Sequence, residues 1–211
     1  LANRATNTLG VLLPSEGDDL FKNPFFIQTL TGISIYAKKV GYYIMYTYSK
    51  NEEEEVNIIE NYINSKLVDG IILLASREED KVIRKIKEHS FPFVVIGRPE
   101  DTLTDLWTDN DNFKAMREVV FSFISKGHRT IGFVGASHKL RMSKDRLEGY
   151  ISALQENNIP VSEQYIFQGE AFDEEEGYKG AELVLRDGRV SCIVTTDDLL
   201  AFGVLKYLKE N

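Results

Sequence analysis

The sequence predicts an α/β protein built from doubly wound, Rossmann-like parallel sheets in two lobes. Short apolar runs alternate along the whole chain with segments whose apolar residues recur at helical spacing, the pattern of strand–helix repeats that build a parallel sheet. Runs such as Leu9–Leu13 and Ile71–Leu74 are continuously apolar rather than alternating, as strands covered on both faces are. The series is broken once, by the polar stretch Glu100–Leu106, and then begins again.

The elements follow in order. Residues 1–8 read as a linker remnant entering the first strand. Residues 9–105 form the first lobe and residues 106–211 the second. Leu9–Leu13 is the first strand. A polar loop from Ser15 to Asn23 leads to Pro24, which suits a first helical position, and Phe26, Leu30, Ile33 and Ala37 then mark an inward stripe that stops at Gly41. Tyr42–Tyr48 is rich in strand formers. Glu52–Lys66 is helical, with acids in its first turn and Val56, Ile59 and Ile63 on one side. Ile71–Leu74 and Phe93–Ile96 are strands, with a helix marked by Val82, Ile83 and Ile86 between them.

The second series opens with a strand at Leu106–Thr108 and a helix burying Met116, Val119, Val120 and Phe123. Gly127 sits where a left-handed helix cap is expected, and Ile131–Val134 is the next strand. The following helix carries Leu147, Ile151 and Leu154 on one face. A strand near Tyr165–Phe167, a helix with Tyr178, Ala181 and Leu185, a strand at 192–195 and a helix with Leu199, Phe202 and Leu205 complete the chain. The second lobe thus has only a few strands of its own, fewer than the ~5–6 of a typical sheet, and we expect its C-terminal part to be truncated.

Composition narrows the function. The 211 residues are 43% hydrophobic and 27% charged, an ordinary globular balance with no run near the ~20 apolar residues of a membrane helix. The expected location is cytoplasmic, because the apolar part of the start is too short and too late for a secretory signal. With 25 basic and 33 acidic residues the net charge is −8, which repels a phosphate backbone, so a DNA-binding part would lie outside these residues. Cys192 is the single cysteine and reads as a buried strand residue. His89, His128 and His138 share no ligand spacing, and Gly132-Phe133-Val134-Gly135 lacks a dinucleotide fingerprint, so neither metal nor cofactor is expected.

In open α/β sheets, ligands bind beyond the carboxyl ends of the strands. Those ends bring up Phe25, Ser76, Asp109, Arg146, Phe172 and Asp197. Carboxylates and a guanidinium give directional bonds to hydroxyls, and phenyl rings offer flat apolar faces to the C–H side of a sugar. Arg146 is a cation near a helix N-terminus, an unfavourable place unless it holds something. Read alone, Asp197 and Asp109 serve equally as helix caps, Ser76 as turn chemistry, and Phe172 as core. Phe26 falls on the apolar stripe of its helix, which leaves Phe25 as the better ligand candidate. No nucleophile and base stand together at these ends, so an enzyme is not expected.

Three stretches carry a family resemblance: Lys126–Gly135 followed by Asp145-Arg146-Leu147-Glu148-Gly149-Tyr150, Thr6–Pro14 followed by Asn23-Pro24-Phe25-Phe26, and Cys192–Leu208. In order, they resemble the effector-binding core of the LacI/GalR family of bacterial transcription regulators. The resemblance implies a periplasmic-binding-protein-like fold, a sugar effector held between two lobes, a homodimer, and operator DNA gripped by a headpiece absent from this chain. It assigns Arg146 to effector binding, Asp197 and Asp109 to sugar contact, Phe172 to the aromatic place above the ligand, and Leu1 to the leucine of the DNA hinge. The Asn-Pro-Phe-Phe loop is similar to that of maltose-operon repressors, which implies maltose or a related α-glucoside. A transporter's sugar-binding protein with the same fold is the alternative, and a signal peptide or a helix-turn-helix upstream separates the two.

Overall fold

A computed structural model describes residues 5–14 and 24–211. Leu1, expected in the DNA hinge, and the polar loop 15–23 lie outside the described residues. Two compact units divide the chain, Leu1–Asp109 and Asn110–Asn211.

Unit 1 is a five-stranded parallel sheet in the order β2-β1-β3-β4-β5, with β1 Thr8–Leu13, β2 Tyr43–Tyr48, β3 Gly70–Leu73, β4 Phe93–Ile96 and β5 Trp107–Thr108. Helices α1 Pro24–Lys39, α2 Glu52–Asn64 and α3 Lys81–Glu88 connect the strands. One core cluster packs Leu12, Ile71 and Val95 against Ile59, Val82 and Ile86, and another packs Val11, Leu13 and Leu74 against Leu30. Buried apolar side chains on both sides of the sheet explain why its strands read as unbroken apolar runs. Asp69 fastens the start of β1: its carboxylate accepts the amides of Thr6 and Asn7, each at 2.8 Å. The strand assigned from sequence to the opening of the second lobe is β5, and it pairs with β4 through Val95–Trp107 and Ile96–Thr108. Two residues are too few to carry an apolar signature, so nothing local tied them to the preceding sheet.

Unit 2 is a three-stranded parallel sheet in the order β7-β6-β8, with β6 Ile131–Gly135, β7 Ile166–Gln168 and β8 Cys192–Thr195. Around it lie α4 Asn112–Ser125, α5 Arg141–Glu156, α6 Glu174–Val184 and α7 Asp198–Glu210. Gly127 has φ +98° and ends α4, as its place after the apolar stripe implied. Two helix stripes differ from the expectation. In α4, Val119 faces out and Ile124 faces in. In α7, Phe202 and Leu205 are exposed while Leu200, Gly203 and Val204 are buried. The reason is Gly203: a Cβ there would stand 2.1 Å from the Glu174 carbonyl and 2.8 Å from the Gly177 Cα. Helices α6 and α7 meet backbone to backbone, and that contact sets which face of α7 turns inward.

Candidate functional site

The carboxyl edge of the second sheet is organised by another glycine. A Cβ on Gly149 would lie 2.3 Å from the Phe113 carbonyl, so α4 and α5 pack in backbone contact. The first residue of α4, Asn112, is 4% exposed and stands beside Arg146 of α5. Arg146 Nε donates to Asn112 Oδ1 at 2.9 Å, and its Nη1 donates to the Thr196 carbonyl just past the end of β8. The guanidinium is thereby aimed by a side-chain amide and a main-chain oxygen; α5 begins at Arg141, so Arg146 lies past the first turn rather than at the helix end expected from the sequence.

Asp197 follows Thr196 and caps α7, accepting the Leu199 amide at 2.7 Å. Asp198 is the helix's first residue. Burial pushes the Asp197 carboxyl above the usual carboxylate range, against the lowering effect of the Leu199 amide and the Arg146 charge. Phe172 packs against the cluster of Val134, Ala136, Ala181 and Leu200. Arg146 and Asp197 are therefore drawn together at one strand end, with Phe172 resting on the neighbouring core. Asn112 escaped the sequence reading because Asp109 was taken from the same Thr-Asp-Asn-Asp-Asn run; the cap of α4 is Asp111, whose Oδ1 accepts the Lys114 amide at 2.9 Å.

The carboxyl edge of the first sheet holds a charged cluster that the sequence reading missed. Arg77 meets Glu55 in a two-pronged pair, Nη1 to Oε2 at 2.8 Å and Nη2 to Oε1 at 2.9 Å. The Ser49 hydroxyl donates to the same Oε1 at 3.3 Å. Asp80 caps α3 through Oδ1, which accepts the amides of Val82 and Ile83, each at 3.0 Å, while Oδ2 accepts the Arg77 amide at 3.1 Å. One signal for Glu55 was available: it lies four residues before Ile59, on the inward flank of α2.

Other candidates have different settings. Ser76 is 3% exposed and donates its hydroxyl to the Arg98 carbonyl at 2.7 Å, bracing the loop after β4. Phe25, at the start of α1, is 47% exposed and packs edge-on to Phe26, with ring centroids 5.4 Å apart. Asp109 is half-buried just after β5. Cys192 is a free thiol whose pKa is pushed up by burial, an inert setting rather than a nucleophile's. Among the described residues, no cluster of three or more His, Cys, Asp or Glu could hold a metal, and no helix is long and apolar enough to cross a membrane.

Comparison with known proteins gives a consistent picture. A family described as periplasmic binding proteins and sugar binding domain of LacI family matches residues 6–211. The HTH-type transcriptional regulator MalR of Streptococcus pneumoniae is 37% identical over 212 residues, covering 100% of this chain and 64% of that protein. A solved LacI-type transcriptional regulator from Bacillus cereus subsp. cytotoxis has a TM-score of 0.91 at 38% identity, covering 96% of this chain and 72% of that one. A Staphylococcus aureus protein described as a maltose operon transcriptional repressor has a TM-score of 0.84 at 26% identity, covering 99% and 74%. The chain thus spans about two thirds of the length of these relatives, which are transcriptional regulators rather than enzymes.

Proposed function

We propose, from the premise that this chain belongs to the family of periplasmic binding proteins and LacI-type sugar-binding domains, that it senses a sugar for a DNA-binding repressor. The observation that carries the reading is the corner made by Arg146 and Asp197 at the carboxyl end of β8. A guanidinium fixed by Asn112 and the Thr196 carbonyl, beside a partly buried carboxylate, presents a donor and an acceptor in set directions. A sugar's vicinal hydroxyls both accept and donate, and answer that arrangement.

In this proposal Arg146 donates to a ring or hydroxyl oxygen, Asp197 accepts a hydroxyl proton, and Phe172 lies against the apolar face of the ring. Within the first unit taken by itself, Phe25 and Asp109 are proposed ligand contacts, while Ser76 acts through the Arg98 loop. Maltose or a related α-glucoside is the proposed effector, supported by the similarity to MalR regulators. Sensing works by allostery: the sugar shifts operator affinity only as far as it binds one conformational state better than another. Operator contact belongs to a headpiece beyond these residues. Exposed Ile35, Tyr36 and Val40 on and beside α1 support a homodimer through that helix, whereas the outward side of α3 is charged. The proposed location is the cytoplasm.

Thermal melting against maltose, maltotriose, cellobiose and glucose 6-phosphate tests the proposal. A sugar at about 100 times its Kd stabilises the fold by ~2.7 kcal/mol. At roughly 2–4 °C per kcal/mol for a chain of this size, the melting temperature rises by several degrees. Maltose should produce the shift and Arg146→Ala should abolish it. A shift of equal size in Arg146→Ala overturns the site, and a panel without any shift overturns the function.

A further inference from the structure

The loop 169–173, which carries Phe172 from β7 to α6, is held at both ends. At its start the Gly169 amide donates to the Gly135 carbonyl at 2.8 Å, tying the loop to the end of β6. At its close Asp173 caps α6, its Oδ1 accepting the Glu176 amide at 2.8 Å. An aspartate cap followed three residues later by a glutamate forms a capping box, in which the glutamate side chain ordinarily turns back to the amide of the cap residue itself. Glu176 reaches further. Its Oε2 accepts the amide of Glu170 at 3.1 Å, in the middle of the loop.

The surroundings seat the carboxylate there. Glu174 and Glu175 are exposed, whereas the Glu176 side chain is 16% exposed and has Lys179 Nζ 3.5 Å from its Oε1. A Cβ on Gly177 would collide with the Leu200 carbonyl, so the first turn of α6 is fixed on α7 by backbone contact and Glu176 projects from a rigid support. Gly169 is buried directly against the carboxylate, and a Cβ there would take the place of Oε2. The φ of Gly169 lies outside the left-handed region, so this glycine is needed for the room it leaves rather than for its backbone freedom. Phe172 thus stands between two anchored points, the Glu170 amide and the Asp173 cap, and rests on the cluster of Val134, Ala136 and Leu200.

We propose that Glu176 is a positioning residue for ligand binding: through the Glu170 amide it fixes the loop that presents Phe172 to the ligand. The assignment rests on the sugar-sensing reading and adds to it a residue that acts through another.

Isothermal titration of the full-length protein with maltose, maltotriose and cellobiose tests this, using whichever sugar the wild type binds best. Glu176→Ala removes the carboxylate, and Gly169→Ala displaces it with a methyl group. Each should weaken binding about three- to tenfold, the worth of one misplaced aromatic face. The two together should cost no more than either alone, because both break one contact. Glu176→Gln keeps a side-chain oxygen for the Glu170 amide and should bind like the wild type. In a Phe172→Ala background Glu176→Ala should cost nothing further, a result that a general loss of stability does not give. Amide hydrogen exchange at Glu170 should quicken in Glu176→Ala and slow again in Glu176→Gln. Wild-type affinity in Glu176→Ala, or an equal loss from it with and without the Phe172 ring, overturns the positioning role while sugar sensing stands. If the wild type binds none of the sugars, the sugar-sensing reading fails and the positioning role falls with it.

Discussion

Removing the Arg77 guanidinium should be among the most damaging single changes in the first unit. Glu55 is 1% exposed and Arg77 8%, and the two share bonds of 2.8 and 2.9 Å. In Arg77→Met the Glu55 carboxylate stays buried without its principal counter-charge, facing the weaker 3.3 Å bond from Ser49. Stranding one member of a buried pair costs about 3–5 kcal/mol. At roughly 2–4 °C per kcal/mol, melting falls by about 6–20 °C. Replacing both partners by apolar groups of similar size is often neutral or better, so Glu55→Leu with Arg77→Met should recover most of the loss. Urea denaturation of the wild type, both single variants and the double variant gives the coupling energy. A single variant costing less than about 1 kcal/mol, or a double variant as unstable as the sum of the singles, would refute the reasoning.

Three further outcomes are expected. Gly149→Ala places a methyl 2.3 Å from the Phe113 carbonyl, so α4 and α5 must separate; urea melts should show a loss of about 1–3 kcal/mol, and the shift of Asn112 away from Arg146 should weaken sugar binding as well. Asp197→Asn keeps the α7 cap and removes a carboxyl whose pKa is raised in the fold. A raised acid pKa penalises the folded state above that pKa and not below the unfolded value. The variant should therefore exceed the wild type in stability at pH 7, with the gap closing as pH falls towards 4; a gap that does not change with pH contradicts this. Glu156 is held down to about 2 by hydrogen bonds from Arg117 and Ser152, so carbon-detected NMR should find its midpoint there and see it return to the ordinary glutamate range in Arg117→Gln.

The sequence made the architecture legible because a parallel sheet leaves an unusually plain signal. Strands covered on both sides carry unbroken apolar runs, and each is followed by a helix with its own stripe. Failures came where contact was made by backbone rather than by apolar side chains. Gly203 meets Glu174 and Gly177 through main-chain atoms, so α7 turns Phe202 outward although its spacing with Leu199 and Leu205 suggested a core stripe. Strand β5 was misassigned because a pairing of two residues is specified by its partner strand rather than by its own composition. Arg146 stood out through its family motif, although α5 starts five residues earlier and its expected helix-end position does not hold; Asn112 could not be found, because its role depends on how closely Gly149 lets α4 approach.

The missed Arg77 cluster has a counterpart in the corner that was anticipated. In unit 1 an aspartate after β3 caps α3, and in unit 2 an aspartate after β8 caps α7; β3 neighbours β1 and β8 neighbours β6. Each cap has an arginine nearby, Arg77 through its amide and Arg146 through its charge and its bond to the preceding carbonyl. Burial raises both cap carboxyls. A cap alone does not require a buried carboxylate, since an exposed Ser or Asn satisfies the same amides. The cost of burial at Asp197 becomes understandable if its carboxylate has a second task, accepting a proton from a ligand hydroxyl at the carboxyl edge of its sheet. On that argument Asp197→Asn should both stabilise the ligand-free protein at neutral pH and weaken sugar binding, whereas Asp80→Asn should do the first alone; an Asp197 variant that leaves sugar binding unchanged identifies an aspartate that only caps its helix.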